Sequence, residues 1–294
     1  MRILLTGANG FIGSHLAQKF IQNHELGLLL RTESSQQQLG KISDKAQRLL
    51  WDGEAKTVLA IIEGFKPELV IHLASLFLAT HKITDIDGLI ASNIRLPTLV
   101  LEAALTSGCK HFIHTGSAWQ HFGNAEYDPV NLYAATKQSF SDILSYYVKA
   151  QGISALTLEL TDTYGPDDPR PKLIPMLRKS ALENAPLSFS PGGQLLDLVH
   201  VDDVVAGYET AIQNVLSLKP YQEKTYMLRS GEPLTLKSLV TLFNELSPHK
   251  VKAEWGVRAY RARETMEPWT WGETLPNWRP CVRLRDGLAQ MVGG

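Results

Sequence analysis

The sequence predicts an α/β fold: a doubly wound parallel sheet followed by a smaller C-terminal α+β lobe. Three observations carry this. Short apolar runs alternate with helix-periodic runs through the first 165 residues, and strands apolar on both faces belong to parallel sheets covered by helices. Gly7, Gly10 and Gly13 stand where the first apolar run gives way to helical spacing. After Tyr164-Gly165-Pro166 the alternation loosens, and prolines 166, 169, 171, 175 and 186 interrupt the chain.

Arg2-Ile3-Leu4-Leu5 reads as the first strand, and residues 11–21 carry apolar side chains at helical spacing. The glycines therefore occupy a strand-to-helix turn, where backbone N–H groups and the positive end of a helix dipole face an anion. Gly7 permits the tight turn, Gly10 admits a pyrophosphate against the backbone, and Gly13 lets the helix pack closely. The flanking strand and helix mark a dinucleotide-binding turn of the Rossmann type. Residues 26–30 and 48–51 read as strands, 57–65 as an amphipathic helix, and 69–74 as a fourth strand. A long helix covers 86–107, with Pro97 expected to kink it. Residues 111–114 form a fifth strand, 133–149 a helix and 155–160 a sixth strand.

Ligands of open parallel sheets lie at the carboxyl ends of the strands. Gly7, Arg31, Ala74, Ser117 and Thr163 all follow strands, so they converge on one crevice. Beyond it, residues 173–183 and 234–246 read as helices, and Asp197 to Asp203 leads into another. Residues 1–165, with 197–230, form the dinucleotide-binding part. Residues 166–196 and 231–294, holding four of the six tryptophans, form a smaller lobe for substrate.

A net charge of −1 over 294 residues gives no electrostatic case for nucleic acid or an anionic membrane. Two cysteines, Cys109 and Cys281, make no disulfide framework, which fits a reducing compartment. Met1 runs straight into the first strand without a leader pattern. No apolar run approaches the roughly 20 residues that span a bilayer. The expectation is a cytoplasmic protein without nucleic-acid or membrane partners. His111 and His114, three apart on a strand, point to opposite faces, and no metal site is expected.

Tyr133 and Lys137 are four apart and share one helix face. A free phenol has a pKa near 10; a nearby ammonium and a positive nicotinamide ring favour its ionised form. Tyr133 then gives a proton to a carbonyl oxygen as hydride arrives, or takes it back in reverse. Ser117 hydrogen-bonds the same oxygen, and Lys137 also holds the nicotinamide ribose. Tyr-x-x-x-Lys alone is a common chance pair; Ser117 and the glycines upstream set this one apart.

Cofactor choice turns on the end of the second strand, where a carboxylate would accept from a ribose 2′-hydroxyl. This chain has Arg31-Thr32, then Glu33, Ser34 and Ser35. An arginine and hydroxyls suit a 2′-phosphate, so NADP(H) is expected; in the alternative, NAD, Arg31 stacks on adenine. Asp52 is a candidate for the adenine amino group or, equally, a helix N-cap.

These motifs resemble the extended short-chain dehydrogenase/reductases, in the branch acting on nucleotide sugars. The likeness runs from Arg2 to about Leu288. It includes the glycine spacing, His72-Leu73-Ala74, Asn93 before Leu101-Glu102-Ala103-Ala104, Ser117 with Tyr133 and Lys137, and Tyr164-Gly165-Pro166. It continues through Val199-His200-Val201-Asp202-Asp203 and Asn277-Trp278-Arg279-Pro280. Leu160-Thr161-Asp162-Thr163-Tyr164-Gly165-Pro166 and Trp119-Gln120-His121 are most similar to CDP-6-deoxyhexulose 4-reductases of the abequose and paratose synthase type. The resemblance implies that Asn9, Phe11, Ile12, Leu73, Ala74, Ser75, Asn93, Thr115, Leu160 and Thr163 join the glycines and Lys137 around the cofactor. It implies that Asp162, Lys172 and Leu173 touch a sugar nucleotide. Trp119, just past Ser117, is a candidate to line that pocket or, equally, to pack in the core, while Trp269, Trp271 and Trp278 read as packing of the smaller lobe. His200, Asp202 and Asp203 are then structural. Arg258 and Arg261 read as solvated surface, with reach to a diphosphate as the alternative. It also implies a homodimer through helices 86–107 and 133–149.

Ser117 is followed by Ala118-Trp119, without the Asp-Glu pair of the family's dehydratases or the glutamate of its decarboxylating members. Two further departures are Glu159, where many relatives carry arginine, and Leu196, in place of an arginine before Asp197. The expected activity is NADP(H)-dependent reduction of a 4-keto sugar nucleotide. The alternatives are an NAD-dependent 4-epimerase and a non-catalytic NADP(H) sensor, which would have no use for Ser117, Tyr133 and Lys137.

Overall fold

A computed structural model describes residues 1–32, 40, 42 and 44–292. The first half of the chain contains β1 (Arg2–Thr6), α1 (Phe11–Phe20), β2 (Glu25–Arg31), β3 (Gln47–Trp51), α2 (Ala55–Phe65) and β4 (Leu69–His72). It continues with α3 (Ile86–Ile90), α4 (Leu96–Thr106), β5 (His111–Ser117), α5 (Leu132–Gln151) and β6 (Ser154–Leu160). Then follow β7 (Asp162–Tyr164), α6 (Leu173–Glu183), β8 (Pro186–Ser188), β9 (Leu195–Leu196), β10 (Leu198–His200) and α7 (Val201–Ser217). The chain ends with β11 (Glu223–Leu228), β12 (Leu234–Thr235), α8 (Leu236–Leu246), β13 (Lys252–Glu254) and α9 (Leu284–Val292).

Seven strands form one sheet in the order β11-β6-β5-β4-β1-β2-β3, every pair parallel. The predicted doubly wound α/β class is what the chain adopts. Side-chain alternation along the strands divides the core. Ile3, Leu5 and Leu28 face one layer with Leu16 and Phe20 of α1 and Tyr208 and Ile212 of α7. Leu4, Leu29 and Val70 face the other with Ile62 of α2, Val100 of α4 and Phe140 of α5. A third core joins α6, α8 and α9 through Leu177, Leu239, Phe243 and Leu288. The order reverses between β1 and β4, which opens a crevice at their carboxyl ends.

Three local readings change. The fourth strand ends at His72, because the Ala74 N–H turns away to donate to Thr6 Oγ1 at 3.1 Å. The irregularity ascribed to Pro97 is a π-helical turn, Ala91–Arg95, just before α4. Pro97 offers no N–H to the carbonyl four residues back, which removes one rung of the α ladder there. Ile83–Thr106 is a helical run long and apolar enough to cross a membrane by length and composition, contrary to the sequence expectation. Leu96, Val100, Leu101 and Ala104 of that run pack into the core beside α2 and α5.

Candidate active site

The glycine turn is fixed by its own backbone. Gly7 has φ +75°, and a Cβ there would lie 2.7 Å from Ala74 N. At Gly13 a Cβ would fall 2.1 Å from the Gly7 carbonyl oxygen. At Gly10 it would meet only that same oxygen, at 3.2 Å, and otherwise open space. Gly10 caps α1 without a side chain, and no acid stands in the first helical turn. The N–H groups of that turn are thus presented to the crevice, as an anionic diphosphate requires. These features fit a dinucleotide cofactor.

A cavity of roughly 430 Å³ opens over this turn. Gly7, Gly10, Phe11, Ile12, Gly13, Leu73, Ser75, Thr115, Leu160 and Thr163 line one side of it, with Ser117, Tyr133 and Lys137 deeper in. Trp119, Asp162 and Lys172 line the rest. Seven expected residues fall outside the lining, each for a visible reason. Asn9 stands on the glycine turn away from the cavity. Ala74 packs toward the core with its N–H tied to Thr6. Asn93 is buried, and its amide accepts from Ser75 Oγ at 2.9 Å and Leu76 N at 2.8 Å. The same amide donates to Leu76 O at 3.0 Å and Thr136 Oγ1 at 2.9 Å. Every polar atom of Asn93 is therefore spent on holding the chain after β4 against α5. Leu173 opens α6 and packs on the small-lobe core.

Arg31 and Thr32 are exposed at the end of β2. Arg31 donates to Ser92 Oγ at 2.9 Å, with its guanidinium 6.0 Å from the Trp51 ring. Glu33, Ser34 and Ser35 lie outside the described residues. Asp52 accepts from Glu54 N and Thr57 Oγ1, both at 2.9 Å, and these bonds hold its carboxyl below the usual range. Both its oxygens brace the start of α2 from two residues before Glu54, which is the N-cap, so Asp52 is not the cap itself.

Ser117 ends β5, and Tyr133 and Lys137 lie one turn apart at the start of α5. Asn131 caps that helix, accepting from Ala134 N at 3.0 Å. The Ser117 N–H donates to Gln120 Oε1 at 3.0 Å, and Gln120 Nε2 donates to Gln138 Oε1 at 2.8 Å, which ties the strand end to α5. Burial pushes the Tyr133 phenol up to about 12, with the facing hydroxyls of Ser117 and Ser75 acting against it. Burial also pulls Lys137 down to about 7. The sequence reading had a nearby ammonium lowering the phenol; here desolvation dominates, and the positive charge acting against it is that of Arg170 rather than Lys137.

The other wall was less legible in the sequence. Phe77 stands edge-on to Tyr133, ring centroids 5.0 Å apart, and 5.3 Å from Trp119. Lys172 Nζ lies 3.6 Å over the Phe77 ring and 4.0 Å from Asp162 Oδ1. Arg261 lines the cavity while its side chain stays exposed, 5.2 Å over Trp119 and paired with Glu264 at 2.8 Å. Arg170 sits 4.5 Å over Phe11, held by Asp168 at 2.7 Å. Of the two departures, Glu159 finds a partner and Leu196 packs against the third core. Glu159 pairs with His121. Asp197, beside Leu196, accepts from Ser230 N at 2.7 Å and Gly231 N at 3.0 Å. His200 Nδ1 accepts from Asp202 N, and Asp203 accepts from Cys281 N and Val282 N. Among the described residues no three His, Cys, Asp or Glu side chains are grouped to hold a metal.

Comparison with known proteins gives a consistent picture. The model of the "NAD dependent epimerase/dehydratase family" matches residues 3–224. The chain is 27% identical to a CDP-abequose synthase of Yersinia pseudotuberculosis, over 91% of this chain and 92% of that protein. Its fold is similar to UDP-glucose 4-epimerase of Thermotoga maritima solved with UDP-glucose, with a TM-score of 0.86 at 21% identity, covering 100% of this chain and 98% of the other. It is also similar to UDP-glucose 4-epimerase of Thermus thermophilus solved with NAD, with a TM-score of 0.85 at 20% identity over 100% and 98%.

Proposed function

The chain belongs to the NAD dependent epimerase/dehydratase family, as an NAD(P)-dependent oxidoreductase, and from that premise we propose that it reduces a 4-keto sugar nucleotide with NADP(H). The observation that carries the reading is the company Ser117 keeps. It shares the cavity with Tyr133 and Lys137, while the next residues, Ala118 and Trp119, bring no carboxylate. Asp162 and Glu264 also line the cavity, but they are engaged by Lys172 and Arg261. Hydride transfer needs one proton donor and one oxygen-binding group. Water elimination would need a further acid and base.

A bound nicotinamide supplies the hydride. Tyr133, half-buried and protonated, delivers its phenolic proton to the C4 oxygen, and Ser117 donates a hydrogen bond to that oxygen. Lys137 holds the cofactor ribose hydroxyls and returns a proton toward the phenol. Gly10 and the first N–H groups of α1 hold the diphosphate. Arg31 supports a 2′-phosphate, since the described end of β2 carries no carboxylate. The likeness to CDP-abequose synthase over nearly the whole chain favours a CDP-sugar. Exposed Ile83, Ile86 and Ile90, with Tyr146 of α5, suit a homodimer through these helices.

The test is NADPH oxidation with 4-keto sugar nucleotides carrying CDP, UDP, GDP or dTDP, alongside thermal-shift screening of NADP and NAD. Turnover with a CDP-linked 4-ketose supports the reading. Interconversion of 4-epimers without added NADPH, by protein that retains cofactor through gel filtration, would replace it with the epimerase alternative. Cofactor binding without turnover on any ketone would point to the sensor.

A further inference from the structure

Behind the reaction site lies a second polar device. Glu159 of β6 and His121 are both buried, 5% and 9% exposed, with Nε2 3.0 Å from Glu159 Oε2. His121 Nδ1 faces two carbonyl oxygens of its own loop, Glu126 O at 2.6 Å and Ala125 O at 3.2 Å. Carbonyls only accept, so Nδ1 carries a proton. Opposite a carboxylate, Nε2 carries one too. Trp269, from the C-terminal lobe, lies flat on the ring, with centroids 4.3 Å apart and planes 11° apart. Trp269 also lines the cavity. Two further contacts join the same segments: Thr270 N donates to Asn124 Oδ1 at 3.2 Å, and Arg263 pairs with Asp128. Gly116, adjoining Ser117, leaves the room that Glu159 occupies, since a Cβ there would lie 2.8 Å from Glu159 Cγ.

We propose that His121 and Glu159 form a buried imidazolium–carboxylate latch that clamps Trp269 of the C-terminal lobe in place as the sugar-facing wall of the cavity. A cation against an indole face attracts it, more so away from water. A buried pair that loses one charge leaves the other uncompensated. The latch is thus a positioning device: it touches no reacting atom and acts through Trp269 and the loop that presents Trp119. Burial pulls the imidazole down, but the Glu159 hydrogen bond and charge, aided by the two carbonyls, leave it raised above its ordinary value. The other charged groups on the elements around it are Asp128 and Arg263, paired with each other, Arg261 and Glu264, likewise paired, Arg229, which donates to Thr270 O, and Glu126, Glu267 and Glu273.

An imidazolium stacked on an indole quenches its fluorescence, which gives a readout independent of turnover. The Trp269 signal, taken as wild type minus Trp269→Phe, should be quenched at neutral pH and recover as His121 loses its proton. Glu159→Gln should move that recovery down by about one pH unit or more. An unchanged midpoint, or no recovery in either protein, would overturn the latch. Should Glu159→Gln fail to fold, His121→Gln must abolish the pH-dependent component; its persistence is equally fatal. The kinetic consequence rests on the reductase reading. Glu159→Gln should raise KM for the sugar nucleotide about tenfold with kcat within about threefold and leave NADPH affinity alone. If wild type reduces no 4-keto sugar nucleotide, the reductase reading fails while the fluorescence result still decides the latch.

Discussion

Tyr133 and Lys137 stand one helical turn apart on α5, and the same burial moves their protons in opposite senses. The phenol rises to about 12 and the ammonium falls to about 7. The resting site therefore holds a protonated phenol beside an amine poised to gain or lose a proton near neutral pH.

Lys137 carries a stability cost that pH reveals. Its folded value lies near 7 against 10.5 for the free side chain, so between these the unfolded chain binds more protons and stability rises with pH. Below pH 7 the full cost is present. Replacing Lys137 with Met should stabilise the cofactor-free protein at pH 7 by about 1–4 kcal/mol, with the gain shrinking toward pH 10. Denaturant melts across that range check this; a gain that does not vary with pH would refute it.

Removing only the phenolic oxygen isolates the acid. Tyr133→Phe should lower kcat by about 10²–10⁴-fold while NADPH fluorescence titrations give an unchanged Kd. Normal turnover would remove Tyr133 from the chemistry.

The glycines separate folding from binding. Gly13→Ala drives a methyl into the Gly7 carbonyl at 2.1 Å, where backbone must yield, and should cost about 1–3 kcal/mol of stability together with the cofactor site. Gly10→Ala meets that carbonyl only at 3.2 Å. It should melt near wild type yet bind cofactor at least about tenfold more weakly, a loss of ~1.4 kcal/mol. Equal melting losses in the two variants would contradict this geometry.

Arg31 donates to Ser92 at the open end of β2. Arg31→Ala should weaken NADPH by about 1.5–3 kcal/mol and leave NADH nearly unchanged, measured as the ratio of kcat/KM. A proportionate loss for both cofactors would mean that the side chain serves adenine, not a phosphate.

The sheet was legible because its signals are local. Ile3 to Leu5, Leu69 to Ile71 and the glycine turn each declare themselves within a few residues, and the four-residue spacing of Tyr133 and Lys137 sets their common face. What escaped depends on contacts far apart in sequence. Asn93 looked like a ligand because nothing near it shows that Thr136, 43 residues on, claims its amide. Arg261 is solvated as read, and only the fold shows that Trp119 lies beneath it. Glu159 read as an irregularity, and only the fold supplies His121, 38 residues upstream, as its partner.

The route of the chain has a consequence for dissecting the protein. The main polypeptide leaves the sheet after β6, builds part of the smaller lobe through β7 and α6, and returns by α7 to lay β11 against β6. A fragment ending near Tyr164 would bare the flank of β6, with its unpaired amides, and strip the seat of α7 from the layer around Ile3 and Leu28. Such an edge templates aggregation. The halves are interwoven rather than detachable, so neither expression of the first part alone nor a swap of the second at that junction should yield a stable product.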